Sequence, residues 1–250
     1  LLRFTNEGSG GFHLVGKSSM GKTTAIRAGV SVWGQVLEDA GEMKVSWNAT
    51  GNGLELAAKS HTDLPLFIDE LGQGENARVD FEQVVYMLGN GVGKRRMTKD
   101  AKGSTLSNWR LLFLSAGEYT AAQMMERLRR RDVATGAEIR MATIDAIPVS
   151  EELGVFESIP KGMDAKELAA TFADFGEKFY GTAGVAFMDA LIADVARCGG
   201  VEAMREHIAK GVADWVNVHA RHYNGQIQRV AKRFALVAVA GELATEYCVL

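Results

Sequence analysis

Hydrophobic and polar positions change period along this chain at regular intervals, and the changes mark its elements. Phe12-His13-Leu14-Val15 is a short apolar run that predicts a buried strand. A helix-favouring segment starts at Thr24 and is predicted to reach about Leu37, and Met43 to Trp47 alternates like a strand. Asn52 followed by Glu55 resembles a capping box opening a helix through Lys59. Leu64 to Ile68 is apolar and ends in two carboxylates, Asp69 and Glu70. Phe81, Val84, Val85 and Leu88 fall on one face of a helix over Asp80 to Leu88, stopped by Gly89, Gly91 and Gly93. Arg110 to Ser115 predicts another buried strand, and Thr120 with Gln123 caps a helix carrying Arg127, Arg129, Arg130 and Arg131. Asp132 to Gly136 reads as a turn, and Ile139 to Val149 as the last strand. Strands alternating with helices predict an α/β fold with a mostly parallel sheet covered on both faces.

Beyond Ser150 the period is helical throughout. Asp164 and Glu167 cap a helix bearing Leu168, Phe172, Phe175 and Phe179. Ala183 to Ala196, Val201 to His219 and Gln226 to Tyr247 predict three more helices, the first ended by Gly199-Gly200. The expected division is therefore an α/β core over residues 1–150 and a helical lid or bundle over 151–250.

Composition narrows the class without choosing a function. A 250-residue chain with 47% hydrophobic and 24% charged residues is of the soluble globular kind, with ample core. Cys198 and Cys248 are the only cysteines and sit in no metal-ligand pattern, which argues for a reducing, cytoplasmic setting and against structural zinc. No apolar run is long enough to span a bilayer, so no membrane partner is expected. A formal charge of −3 leaves any nucleic-acid case to local clusters. The chain opens on Leu1 with a strand almost at once, so a further N-terminal region is expected, and with it room for a targeting peptide.

The chemistry concentrates in Gly16-Lys17-Ser18-Ser19-Met20-Gly21-Lys22-Thr23, which fits G-x-x-x-x-G-K-[ST] at every fixed position. Strand, glycine loop and helix are the order in which backbone N–H groups converge on phosphates at a helix start. Gly16 to Thr24 would hold ATP, with Lys22 on the β and γ phosphates and the Thr23 hydroxyl on Mg²⁺. Asp69 at the end of its strand would support that metal, and Glu70 would polarise a water for in-line attack. Ser115, ending the following strand, is the candidate γ-phosphate sensor; Glu118 is the alternative at that edge. Arg140, just before the run Thr143 to Pro148 of the last strand, is the candidate arginine finger, with Arg127 and Arg129 to Arg131 as competitors. Arg229, with Lys232 and Arg233 at helical spacing, is the candidate cation of a lid helix over the nucleotide.

Between the two motif strands lies a basic insert. Lys94, Arg95, Arg96, Lys99 and Lys102 place five cations within nine residues. Lys99-Asp100-Ala101-Lys102-Gly103 is suited to a hairpin tip, and such a tip could follow a nucleic-acid backbone through phosphate contacts.

Several blocks together resemble the domain of unknown function 927 family. They are Gly11 to Thr24, Trp47 to Glu55, Ile68 to Gln73, Asn90 to Lys94, Trp109 to Ser115 and His222-Tyr223, in this order across nearly the whole chain. Members look like AAA+-type helicase modules of phages, plasmids and integrated elements, often joined to primase regions. The resemblance implies a ring-forming, ATP-driven DNA motor, a homo-oligomer such as a hexamer, and a primase partner or domain in the N-terminal region. Two other functions are compatible with the residues. One is an AAA+ switch or loader that remodels a protein partner; the other is a P-loop kinase, against which Glu70 and the basic insert speak.

Overall fold

The computed structural model describes residues 1–36, 44–71, 81–94, 106–129 and 135–250, without the side chains of Glu70, Leu71, Leu128, Arg129 and Thr135. These residues form two compact units. One is Ser9–Tyr180; the other joins Leu1–Gly8 to Gly181–Leu250.

The first unit is built on five parallel strands: β1 (Gly10–Val15), β2 (Lys44–Ser46), β3 (Leu66–Leu71), β4 (Leu112–Gly117) and β5 (Met141–Asp145). Their spatial order is β2-β3-β4-β1-β5. β4 therefore separates β1, which leads into the glycine loop, from β3, which carries Asp69. The register sets Val15 beside Gly117 and Ser46 beside Asp69.

Helices cover both faces, as parallel strands buried on two sides require. Ile26 and Val30 of α1 (Lys22–Trp33) pack with Phe67 and Ala116 on one face. α6 (Ala165–Lys178) packs in turn against α1 and so belongs to this unit. On the other face α2 (Gly51–Ser60), α3 (Phe81–Asn90) and α4 (Ala121–Arg129) contribute Leu54, Val85, Leu88 and Met125 to a core that includes Phe113 and Met141.

Most expected elements are present, with informative departures. α2 is capped by Thr50, whose hydroxyl accepts from Gly53 N–H at 3.1 Å, so the cap lies two residues before Asn52. Thr120 and Gln123 do form a reciprocal capping box, with bonds of 2.9 and 3.1 Å. Thr135 to Arg140, read from sequence partly as a turn and partly as strand, is a short helix, α5, and β5 begins only at Met141. Ala137 supplies the buried anchor that makes this turn of helix worthwhile.

The second unit holds α7 (Thr182–Arg197), α8 (Val201–His219) and α9 (Gly225–Glu246). Met204, Ile208 and Val212 of α8 and Ala235, Leu236, Val239 and Leu243 of α9 are buried where these helices pack together. The N-terminal segment is tied to α9 by Lys232 on Glu7 at 3.1 Å. No single helix among the described residues is long and apolar enough to cross a membrane.

Candidate functional site

The loop after β1 turns because two of its residues take left-handed backbone conformations, Ser19 at φ 64° and Gly21 at φ 87°. Gly21 is also the N-cap of α1, and a side chain there would meet Val155 at 2.8 Å. Lys22 lies folded under the loop, with its Nζ donating to the carbonyls of Gly16 (2.8 Å) and Lys17 (2.6 Å). Burial pulls its pKa below the ordinary lysine value, while the charges of Glu118 and then Asp69 act in the opposite sense. Those two carboxylates are thus electrostatic neighbours of the loop lysine. Thr23 is exposed and Thr24 half-buried on the first turn of α1.

Asp69 is buried in β3. Although β4 intervenes, Asp69 and the loop open into one cavity of about 790 Å³, whose wall includes Ser18, Lys22, Thr24, Asp69 and Glu118. Glu70 follows Asp69 in β3, and its side chain lies outside the described residues. A second cavity of about 480 Å³ flanks the loop at Gly16 and Lys17; Glu118, Thr120, Gln123 and Asp145 line it. Glu118 is on both walls.

The segment after β5 closes the larger cavity. Val155 N–H donates to the Met20 carbonyl at 3.0 Å, and Glu151 pairs with Lys17 at 2.5 Å. Glu152 and Phe156 from this segment, and Lys166 from α6, line the cavity as well. Phe156 stacks on Phe172, with ring centroids 5.9 Å apart and planes at 17°. Arg27 lines the same cavity, and its buried Nε has no hydrogen-bond partner among the described residues. A sequence signal for Arg27 existed: it stands four residues after Thr23, on the same helical face. Glu151, Glu152 and Phe156 carried no signal, because only the fold brings them to the loop.

Ser115 is fully buried, two positions below the end of β4. It accepts from Trp47 Nε1–H at 2.8 Å and lies 3.0 Å from His13 Nδ1. His13 Nε2 lies 2.9 Å from the Tyr119 carbonyl, which can only accept. Nε2 therefore carries the proton, Nδ1 is the acceptor, and the Ser115 hydroxyl donates to it. Burial, with the nearby Lys22 charge adding to it, lowers the His13 pKa to about 4, so the ring is neutral at physiological pH.

Arg140, Arg127 and Lys94 line neither cavity. Arg140, ending α5, donates to Asn90 Oδ1 (2.9 Å) and the Gly136 carbonyl (2.8 Å), and its guanidinium lies 4.3 Å over the Tyr86 ring. Arg127 stacks similarly on Tyr119 at 4.2 Å. Arg229 is exposed on α9, whereas Arg233 of the same helix is buried. Lys94 is exposed; Arg95, Arg96, Lys99, Lys102, Arg130 and Arg131 lie outside the described residues. The stem of the basic insert is described. Val92 and Asn108 form an antiparallel bridge, and Gly93 N–H donates to the Ser107 carbonyl at 2.7 Å. It springs from the end of the sheet where β4 begins, opposite the glycine loop.

No curated protein matches the sequence. The solved structure of an active helicase, the SCCmec type IV Cch protein, superposes with a TM-score of 0.69 at 21% identity, covering 98% of this chain and 39% of that one. The likeness is one of fold, and the chain spans well under half of that protein's length. The family model described as "Domain of unknown function (DUF927)" matches residues 1–105, taking in the glycine loop, the Trp47 block and the Asp69-Glu70 strand but ending before β4. The first 105 residues are thus similar to that family, and the α/β fold is shared with the SCCmec helicase.

Proposed function

We propose that this chain is the ATP-hydrolysing motor of a DNA helicase or translocase, of AAA+ type. The observation that carries the reading is the single cavity in which Lys22 and the phosphate loop face Asp69 across the tip of β4. A triphosphate gripped by Gly16 to Thr24 takes up the Lys22 ammonium in place of the Gly16 and Lys17 carbonyls. Water attacks the γ-phosphorus in line, ADP leaves, and Glu70 receives the proton.

The donors present suit magnesium. Among the described residues there is no cluster of three His, Cys, Asp or Glu. An ion that keeps several waters and takes one carboxylate, one hydroxyl and phosphate oxygens needs none. Thr23 and Asp69 would hold it, and it would neutralise charge on the β and γ phosphates. The finger in this reading is Arg140 presented by a neighbouring subunit, exchanging its contacts to Asn90 and Gly136 for the phosphoryl group.

DNA enters the reading through the insert. Its antiparallel stem, the exposed Lys94 and the cations at Arg95, Arg96, Lys99 and Lys102 suit a projecting element that follows phosphates. The fold shared with an SCCmec helicase supports the same assignment. The test is ATP turnover by the full chain with and without single-stranded DNA, alongside Glu70→Gln. The expected result is DNA-stimulated hydrolysis, and a Glu70→Gln protein that binds ATP without turning it over. A DNA-independent rate with no strand separation would favour a protein-remodelling switch instead.

A further inference from the structure

We propose that Glu118 is the carboxylate through which β4 acts on the attacking water, and that buried His13 is its positioning residue. The proposal rests on the hydrolytic reading above. Ser115, the serine that ends the apolar run, has its hydroxyl committed inward, donating to His13 while accepting from Trp47. Two residues later the chain reaches the loop itself. Gly16 N–H donates to the Gly117 carbonyl at 3.3 Å, and Lys22 Nζ rests on the Gly16 carbonyl. Glu118 follows at once, on the wall of both cavities, and is foremost among the charges acting on Lys22.

The backbone on either side of Glu118 is fixed by a donor from β1 or from the residue that follows it. Gly117 O receives Gly16 N–H, and Tyr119 O receives His13 Nε2–H at 2.9 Å. His13 in turn is oriented by Ser115 and Trp47, so a buried chain of three side chains sets where the Glu118 carboxylate points. Each polar atom of that chain has a partner, the condition under which a buried network specifies geometry. In the reaction the water oxygen bonds to the γ-phosphorus and the bond to the ADP oxygen breaks. One water proton passes to Glu70. Glu118 accepts a hydrogen bond from the other O–H and takes no proton.

The test uses the 250-residue chain, mant-ATP binding, and steady-state phosphate release. Glu118→Gln should bind mant-ATP within about twofold of the parent and turn over about tenfold more slowly, because a neutral amide oxygen accepts the water's hydrogen bond more weakly than a carboxylate. His13→Met should lower kcat about tenfold with little change in KM, whereas His13→Gln, which keeps a donor for Tyr119 O, should recover most of the loss. In the Glu118→Gln background His13→Met should cost nothing further, because both act on one group. Normal turnover of Glu118→Gln would overturn the proposal, and so would multiplicative losses in the double variant, which would mark His13 as merely structural. Should His13→Met fail to fold, His13→Gln and Glu118→Gln still decide. A parent chain that neither binds mant-ATP nor releases phosphate would instead remove the hydrolytic reading on which this one stands.

Discussion

The two ends of the parallel sheet are closed by different chemistry. At the end where β1 and β4 finish, the closure is internal: Trp47, Ser115 and His13 pass hydrogen bonds through a space sealed from water. At the end where β3 and β4 begin, the closure is superficial. Arg110 forks onto Asp63 at 2.8 and 3.1 Å, with both side chains about one third exposed. An exposed ion pair contributes about 0–1 kcal/mol, whereas breaking a buried, satisfied network leaves polar atoms stranded at a cost of about 1–3 kcal/mol each. The first construction fixes the Tyr119 carbonyl, next to Glu118. The second only needs to anchor a stem that leaves the sheet.

Several substitutions would break or sharpen this contrast. The largest effect belongs to Lys22→Ala, which should reduce ATP turnover by about 100-fold or more while the protein stays folded, measured by phosphate release and circular dichroism. Next comes acid sensitivity. His13 has a folded pKa of about 4 against 6.5 in a free imidazole, so between those values the unfolded chain binds a proton that the folded chain refuses. Stability should therefore fall as pH drops from about 6.5 to about 4, by about 3 kcal/mol in total, and show no further His13 loss below that. Urea midpoints across this range should show the slope in the parent and lack most of it in His13→Gln.

At the opposite end, Gly91→Ala should cost about 2 kcal/mol, read as a lower Tm, with mant-ATP affinity retained. Gly91 has φ 69°, and a Cβ there would stand 2.5 Å from the Trp109 carbonyl. Arg27→Ala should weaken mant-ATP binding about tenfold, about 1.4 kcal/mol, because it removes the one cavity cation whose Nε is buried without a partner among the described residues. The smallest effect is expected for Lys99→Ala with Lys102→Ala. DNA affinity should fall modestly, and the slope of log affinity against log salt should flatten by about 2.

The legibility of the molecule in its sequence follows the range of the interactions involved. The glycine loop and the Asp69 strand were readable because their chemistry is packed into contiguous residues. The α4 and α6 caps were readable because a capping box spans only four positions. α5 was missed because a six-residue helix with Gly136 inside it has almost no period to detect, and its anchor at Ala137 is visible only once the core exists. The inward commitment of Ser115 could not be read, since its partners lie 68 and 102 residues away. Nor could sequence bring Glu151 to Lys17 across 134 positions.

Strand β4 has a mechanical consequence. It begins just past the base of the basic insert and finishes one residue before Glu118, a straight run of six residues or about 20 Å. It is clamped between β1 and β3 along that run. A tug on the stem at Asn108 would travel along this braced rod to Glu118, and the same rod would carry a push the other way.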